Sequence, residues 1–342
     1  MNKHAAAKTE IIVGILIASL AAAGLFVFVS YDISGSLGSG GPAEPVYDMQ
    51  KYRNIDPELI THAEKLPAVP AGFKESRAIY TAPDGKVYIC GDKAVRVFSS
   101  DLKFIEQINL DDTPTTLAVS QQGRIYICMG SYISVYDPQT QSSVDWPQYS
   151  DKSVLTSIDV YKEHVLAADA GSKAVLHYNK DGSFVRTIGE KNKELGISGF
   201  VIPSPYFDLA VAGDGLLRVV NPGRHRIEAY TLDGYLEFFW GEYSSGVTGF
   251  CGCCNPANFA ILPDNSFVTM EKGIMRAKVY DPDGVFVGAV AGPGQFYDGY
   301  PGLESLAENQ SVVFDIAAAA DGRILILDTV NNIIRVFKEI ER

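Results

Sequence analysis

Short apolar runs separated by polar turns fill most of the sequence. Residues 313–338 show the pattern clearly, because three apolar runs are separated there by Asp321-Gly322 and by Asn331-Asn332. Strand-length runs that are rich in β-branched residues and joined by tight Asp-Gly or Asn-containing turns are typical of antiparallel strands. The segment therefore predicts three consecutive strands of one small sheet.

The same unit recurs along the chain, and the copies align on the first strand and its turn. The six first strands begin at Ala78, Thr116, Ser157, Asp208, Asn258 and Asp315. Repeats of about 40–50 residues with four strands each are typical of propeller blades. The sixth copy stops after its third strand, at Phe337, and residues 59–66 are the best source of the missing strand. Residues 46–342 are thus predicted to form an all-β, six-bladed β-propeller that closes by borrowing an N-terminal strand.

The N-terminal region has a different pattern. Residues 11–31 contain no charged side chain, and about 20 such residues cross a bilayer as a helix. Lys3 and Lys8 precede this run and acidic residues follow it, which places residues 1–10 in the cytoplasm. The Gly- and Ser-rich residues 32–45 then form a flexible linker. We expect a single-pass anchor in the cell (inner) membrane with the propeller on the extracytoplasmic, periplasmic side; the alternative is a signal peptide cleaved near Ala21-Ala22-Ala23.

Charge and cysteine content narrow the classes of partner. The chain of 342 residues has a formal net charge of −12, and no Lys/Arg-rich run is present. A nucleic-acid partner is therefore not expected, because such binding needs a basic surface. The five cysteines cannot all pair within one chain.

Residues 213–234 (GDGLLRVVNPGRHRIEAYTLDG) and 321–337 (DGRILILDTVNNIIRVF) resemble the NHL-repeat family of six-bladed propellers. The resemblance covers about residues 59–342. The GCCNP segment and the blade that follows it are similar to a bacterial, membrane-anchored type of this family. Members act as enzymes, binders and scaffolds, so the resemblance implies a fold and leaves the function open. Gly91 and Met129 depart from the pattern where other copies carry the acids Asp169 and Asp328.

The first residues of the innermost strands are expected to converge on the central channel. Asp208, Asn258 and Asp315 would place two carboxylates and an amide there. Such oxygen ligands suit Ca²⁺ or Mg²⁺, and they resemble the ion-holding residues of lactonase-like six-bladed propellers. The favoured interpretation is structural, with these side chains bonded to neighbouring backbone.

Asp169, Asn221, Glu271 and Asp328 end the second strands and are expected to cap the turns that follow. Glu271 differs because it lies in the copy that also contains the sequence GFCGCCNP, residues 249–256. This segment, hereafter the cysteine loop, leads into an innermost strand and is expected at the channel mouth. Glu271 is a candidate to support the cysteines from behind.

Three interpretations of Cys251, Cys253 and Cys254 remain open. They form a disulfide, including a vicinal one between Cys253 and Cys254; they bind a soft metal such as copper or an iron–sulfur cluster; or they are inert thiols. Cys90 and Cys128 end equivalent strands of adjacent copies, and both are expected to be buried free thiols.

Motifs for common chemistries are absent: the sequence contains no G-x-S-x-G, Walker A, H-E-x-x-H or C-x-x-C-H. Two long loops, residues 189–206 and 291–312, are expected on the same face as the cysteine loop. The sequence favours a membrane-anchored binding or scaffold module for a membrane or redox protein complex, with its protein partner at this loop face. The alternative is a redox or metal-dependent enzyme that uses the cysteine cluster with the axial Asp and Asn residues.

Overall fold

The computed structural model describes residues 54–297 and 313–341. Almost all of the regular structure in these ranges is β-strand, with one five-residue helix, α1 (Pro293–Tyr297), and two 3₁₀ turns at Pro57–Leu59 and Pro222–Arg224. The strands are β1 His62–Pro70, β2 Ser76–Thr81, β3 Val87–Gly91, β4 Ala94–Phe98, β5 Phe104–Asn109, β6 Thr116–Val119, β7 Ile125–Cys128, β8 Ile133–Asp137, β9 Ser142–Asp145, β10 Leu155–Tyr161, β11 His164–Asp169, β12 Ala174–Asn179, β13 Phe184–Ile188, β14 Leu209–Val211, β15 Leu217–Asn221, β16 Arg226–Tyr230, β17 Leu236–Trp240, β18 Asn258–Ile261, β19 Phe267–Met270, β20 Ala277–Tyr280, β21 Phe286–Ala291, β22 Asp315–Ala318, β23 Ile324–Asp328 and β24 Ile333–Glu339.

The strands form six four-stranded antiparallel sheets. Blade one contains β2–β5, and each of the next four blades takes the following four strands in order. The first strands of successive blades neighbour one another all the way round, because β22 of blade six contacts β2 of blade one. Such a closed ring of radial sheets is a six-bladed β-propeller, so the predicted all-β fold is confirmed.

The sixth blade closes the ring with a strand from the start of the domain. Its sheet order is β1-β24-β23-β22. In the β1–β24 pair, His62 lies opposite Glu339 and Pro70 lies opposite Ile333. The sequence prediction that residues before the first copy complete the last blade is confirmed, and no blade is left with an open third strand.

Asp-Gly turns join the first and second strands of several blades for a specific physical reason. Gly85, Gly215 and Gly322 have φ between 81° and 83°, a left-handed backbone that glycine adopts without steric cost. The preceding Asp accepts a hydrogen bond from the backbone two residues on, as when Leu216 N–H donates to Asp214 Oδ1 at 2.9 Å. The glycine and the aspartate before it therefore both favour this turn conformation.

Burial falls from the middle of each blade to its rim. Every residue of β3 is buried, whereas five of the six residues of β5 are exposed. Aromatic side chains fill the space between blades: the Trp240 ring packs against Phe267 and Tyr280 with centroids 5.1 and 4.9 Å apart. Truncating such a buried indole to alanine typically costs about 3–5 kcal/mol.

The predicted roles of Cys90, Cys128, Asp169 and Asp328 are confirmed, whereas the turn-capping role predicted for Asn221 is wrong, because its side chain makes no cap bond and instead accepts the Val201 N–H. Cys90 and Cys128 are fully buried and form no disulfide. Asp169 Oδ1 accepts the backbone N–H groups of Gly171 and Ser172 at 3.0 and 3.2 Å, so it caps the turn that follows β11. Asp328 caps its turn in the same way through the N–H groups of residues 330 and 331.

Two groups of predictions concern residues that are not described. Residues 1–10, 11–31 and 32–45, the predicted cytoplasmic segment, anchor and linker, all lie outside the described ranges, as do residues 298–312 of the second long loop. Within residues 54–297 and 313–341, no helix has the length and apolar character needed to cross a bilayer.

Candidate functional site

The axial residues Asp208, Asn258 and Asp315 join neighbouring blades. Phe259 N–H donates to Asp208 Oδ2 at 2.8 Å, and Ile79 N–H donates to Asp315 Oδ2 at 2.8 Å. Asn258 Nδ2 donates in turn to the carbonyl oxygen of residue 314 at 3.0 Å. Each side chain therefore bonds the backbone of the next blade, as the structural interpretation expects. Their role as ligands of a divalent ion stays a prediction.

The two axial carboxylates, Asp208 and Asp315, are weaker acids than an ordinary aspartate. Burial raises the pKa of Asp208 to about 6 and that of Asp315 to about 7, and the Asp208 charge adds to the shift at Asp315. Both groups therefore take up protons close to neutral pH. No three His, Cys, Asp or Glu side chains of the described ranges are grouped so as to hold a metal ion.

Asp159 and Tyr80 extend this polar network, and the sequence analysis did not single them out. Asp159 Oδ2 accepts the Val211 N–H at 2.8 Å, the same cross-blade bond that Asp208 and Asp315 make. Burial raises the pKa of Asp159, and the Tyr80 hydroxyl hydrogen-bonds to its carboxylate. Both residues stand two positions after the strand starts that the sequence predicted, Ala78 and Ser157. Side chains alternate between the two faces of a strand, so residues i and i+2 share a face. This alternation could have identified Tyr80 and Asp159 as residues that line the channel.

The innermost strands enclose a channel cavity of about 840 Å³. Its lining includes Asp159, Asp208, Asn258, Asp315 and Tyr206, and it includes none of the cysteines. The cysteine loop was expected to open onto this channel. No cysteine belongs to this lining; Tyr206, which does, lies 4.8 Å from the ammonium nitrogen of Lys272, and that ammonium also acts on Cys254.

The cysteine loop is held in place at both ends. Cys251 N–H donates to Glu271 Oε1 at 3.1 Å. The buried Asn255 donates from Nδ2 to the Cys251 carbonyl oxygen at 2.7 Å and accepts the Lys272 N–H at 2.9 Å through its own side-chain oxygen. The His225 ring contributes a further bond to the Gly252 carbonyl oxygen at 2.5 Å. These contacts give the loop one defined conformation.

Behind Cys251 lies a fully buried ion group. Arg276 Nε donates to Glu271 Oε2 at 2.6 Å, and Lys278 Nζ lies 3.1 Å from the same oxygen. Burial alone would raise the pKa of Glu271, but the two cations outweigh burial and lower it. Burial lowers the pKa of Lys278 to about 8, although Glu271 opposes that shift. Glu271 therefore supports the loop, as expected, and carries more partners than expected.

The three clustered thiols separate into two environments. Cys251 Sγ lies 3.6 Å from an Arg276 nitrogen, and burial raises the pKa of its thiol to about 11. Cys253 and Cys254, hereafter the thiol pair, have sulfurs 2.9 Å apart. Cys253 is exposed and Cys254 is buried. Cys251 thus contacts Arg276, whereas Cys253 and Cys254 contact each other; metal binding and disulfide formation by the three cysteines both stay predictions.

The surroundings of Cys254 favour its ionised form. Burial would raise the pKa of this thiol, but the Cys253 thiol, the Ser204 hydroxyl and the Lys272 ammonium outweigh burial and lower it. The pKa of Cys253 is raised, first because its thiol is hydrogen-bonded to Cys254 and then because it is partly desolvated. When the pair carries a single proton, that proton therefore resides on Cys253, and Cys254 is the thiolate.

The loop of residues 189–206 leads into β14 as the cysteine loop leads into β18, so its predicted position on the same face is confirmed, and its Ser204 hydroxyl helps to lower the pKa of Cys254. Ser204, Lys272, Arg276 and Lys278 were missed by the sequence analysis. The sequence repeat could have revealed that one of them, Lys278, is buried. Blades four and five align with an offset of 50 residues, so Lys278 falls at the position of the buried Glu228.

Comparison with known proteins supports the fold alone. No family model and no curated protein matches the chain. Among solved structures, a Bacteroides thetaiotaomicron protein of unknown function superposes with a TM-score of 0.56 at 16% identity, covering 81% of this chain and 76% of that one. A streptogramin B lyase and Kuenenia stuttgartiensis hydrazine synthase each give 0.51 at 13% identity, with 82% and 81% of this chain covered and 97% of each of theirs. The chain therefore has a six-bladed β-propeller fold, compatible with a binding or scaffold role; a fold shared this widely does not identify an activity.

Proposed function

We propose that the chain is a membrane-tethered module that binds a protein partner on the face bearing loops 189–206 and 249–256. The propeller would lie on the extracytoplasmic side of the cell membrane. The partner would be a component of a membrane or redox protein complex. The NHL-type assignment belongs to the same proposal, because it rests on the repeat residues quoted above.

Exposed apolar side chains on successive interblade loops are the observation that carries this proposal. Tyr149, Leu195, Val201 and Tyr243 are all exposed, and they occupy the three loops that lead into β10, β14 and β18. Apolar and aromatic groups of this kind on a rigid frame favour protein recognition. The turns between third and fourth strands on the opposite face also carry exposed apolar residues, such as Tyr235 and Val285, but the Asp-Gly turns beside them are polar.

The tether is supported by composition. Residues 11–31 contain no charge and are long enough to cross a bilayer, and the Gly- and Ser-rich residues 32–45 provide slack before the propeller begins. Lysines before the run and acids after it favour an extracytoplasmic propeller.

The alternative, an enzyme that combines the cysteines with the axial residues, has less support. Asp208, Asn258 and Asp315 are engaged with the backbone of neighbouring blades, and the cysteines do not line the cavity in which those residues lie. A reaction centre would need the two groups to share one substrate position.

Site-specific photocross-linking in cells tests the binding face. A cross-linker replaces Tyr243, which is 57% exposed, or Tyr235, which is 54% exposed in the turn between β16 and β17 on the opposite face. We expect a discrete adduct from position 243 and none from position 235. Equal labelling at both positions, or none at either, would contradict the proposal.

Membrane fractionation tests the tether separately. The full chain should remain with membranes in alkaline carbonate, and protease added outside the cytoplasm should digest the propeller. Deleting residues 1–31 should release it into the soluble fraction. A full chain that carbonate extracts completely would remove the anchor from the proposal and leave the binding face to be judged by cross-linking.

A further inference from the structure

The thiol pair differs from the other cysteines in access. Cys253 is exposed, whereas Cys254 directly beneath it is only 1% exposed. Their sulfurs are 2.9 Å apart, within about 1 Å of the length of a disulfide bond, and Glu271 and Asn255 hold the loop beside them. An external reagent can reach the Cys253 sulfur and cannot reach Cys254.

Two polar groups converge on the buried sulfur. The Lys272 ammonium and the Ser204 hydroxyl both help to lower the pKa of Cys254, and the buried Ser204 hydroxyl oxygen has no hydrogen-bond partner of its own within residues 54–297 and 313–341. A cation and a hydroxyl donor stabilise a thiolate and thereby make it a better leaving group from a disulfide. An inert pair of cysteines would not need either group.

We propose that Cys253 and Cys254 form a thiol–disulfide exchange site that reacts with disulfides of low-molecular-weight thiols. Cys253 is the sulfur that exchanges with the external molecule. Cys254 is the sulfur that resolves the mixed disulfide. Lys272 and Ser204 act as positioning and charge-stabilising residues for Cys254. This site goes beyond partner binding, because it operates on a small molecule and does not require a docked protein.

The reaction balances as follows. Cys253 passes its proton to the Cys254 thiolate and attacks one sulfur of R–S–S–R, so that the S–S bond breaks and RS⁻ leaves. Cys254 then gives up that proton to RS⁻ and attacks the Cys253 sulfur; the mixed disulfide breaks, the Cys253–Cys254 bond forms, and a second RS⁻ leaves. Two electrons pass from the pair to the external disulfide, which yields RSH and RS⁻. In reverse, an external thiolate attacks Cys253 and Cys254 departs as the stabilised thiolate.

Redox titration of the purified full chain tests the proposal. The chain is equilibrated with mixtures of reduced and oxidised glutathione, quenched with acid and alkylated, and the peptide that contains the cysteine loop is analysed by mass spectrometry. We expect a Cys253–Cys254 disulfide to replace two alkylated thiols as the oxidised fraction rises. Cys90 and Cys128, which are buried, should stay reduced at every ratio, so both should be found alkylated once the quenched chain is unfolded, and they serve as internal controls. A pair that remains fully alkylated at every ratio would overturn the proposal.

Two serine variants separate the roles of the sulfurs. Cys254→Ser should accumulate a stable glutathione mixed disulfide on Cys253, because the resolving thiol is gone. Cys253→Ser should accumulate none on Cys254. Adducts on Cys254, or no adduct in either variant, would contradict the assignment.

Lys272 supplies a test that leaves both thiols intact. Lys272→Met should shift the titration about tenfold toward the disulfide, because the reduced pair loses the charge that stabilises its thiolate. Lys272→Arg keeps the charge and should restore the midpoint to within about threefold. A midpoint that is the same in all three chains would overturn the role of Lys272. Failure of these titrations would leave the cross-linking result at Tyr243 unaffected, so the two proposals are judged independently.

Discussion

Blades four and five hold equivalent loops in place with different arrangements of charged side chains. In each blade a buried phenylalanine, Phe200 or Phe250, stands in the loop before the first strand. The backbone N–H of the next residue donates to the side chain at the end of the second strand. In blade four that residue is Asn221, which bonds to the buried carboxylate of Glu228 on the third strand. In blade five the carboxylate moves to Glu271 at the strand end.

Because the carboxylate lies at the end of the second strand in blade five, the charged side chains on and beside the third strand differ between the two blades. Arg226 and Arg276 occupy equivalent positions and pair with Glu228 and Glu271 respectively. Blade five adds Lys278 where blade four has Glu228, so its buried group has two cations around one carboxylate. Ion groups buried in this way are costly to disrupt and do not by themselves stabilise a fold. The comparison therefore suggests that blade five retains its charges to hold the cysteine loop in one conformation.

The largest expected effect comes from removing the blade-five carboxylate. Glu271→Gln leaves Arg276 and Lys278 buried without a counter-charge and should lower the free energy of unfolding by about 3–5 kcal/mol. Asn221→Ala, the matched change in blade four, removes neutral hydrogen bonds and should cost about 1–3 kcal/mol. Urea unfolding of both variants measures the difference, and equal losses would refute the asymmetry between the blades.

The axial positions should give the next largest effect, since blade four carries Asp208 where blade five carries Asn258. The pKa of Asp208 is about 6 in the folded chain, above its ordinary 3.8. Its proton therefore stabilises the fold fully below pH 3.8, and that stability is lost as the pH rises through 6. Relative to Asp208→Asn, the native chain should lose at most about 1.4 kcal/mol per pH unit between pH 4 and 6. Parallel stability curves for the two chains would contradict this.

Exchanging the charge pattern should cost less than removing it. The double variant Glu271→Asn with Lys278→Glu gives blade five the arrangement of blade four, with a third-strand carboxylate beside Arg276. We expect a free energy of unfolding within about 2 kcal/mol of the native chain, well above that of Glu271→Gln. A double variant as unstable as Glu271→Gln would show that the surroundings of blade five fit only its own charges.

The smallest expected difference lies between the two phenylalanines. Phe200→Leu and Phe250→Leu each remove aromatic packing against Phe207 or Trp240. Each should cost about 1–2 kcal/mol, with the two losses equal to within about 0.5 kcal/mol, because both rings fill the same place in their blades. Thermal or urea unfolding of the pair provides the comparison.

Backbone architecture followed from the sequence because each strand and turn is determined locally. Alternating apolar runs and Asp-Gly turns predicted the six sheets, and the missing last strand predicted the role of β1. Local patterns do not reveal which way a side chain points once a loop folds back over it. Arg276, directly before β20, and Lys278, within it, resemble ordinary surface charges, yet both are buried because their side chains bond to the loop of residues 245–251.

The same limit explains the outcome for the cysteines. Spacing placed Cys251, Cys253 and Cys254 on one short loop, and this is correct. Their division into two environments depends on the Glu271 and Asn255 bonds, which turn Cys251 toward Arg276 and leave Cys253 outside. The contacts of Cys251 with Glu271 and Arg276 join residues 20 and 25 positions apart, so the sequence pattern of the loop alone could not reveal them.

The ring closure has a consequence for biosynthesis. Strand β1 ends at Pro70, and its partner β24 begins only at Ile333, so a ribosome working at about 5–20 residues per second finishes the partner roughly 10–50 s later. During that delay β1 is an unpaired strand that other chains could join. Pro67 and Pro70 lack the N–H groups that such pairing needs, and Glu64 and Lys65 add charge. The nascent strand is thus protected from premature partners until translation delivers the one that fits.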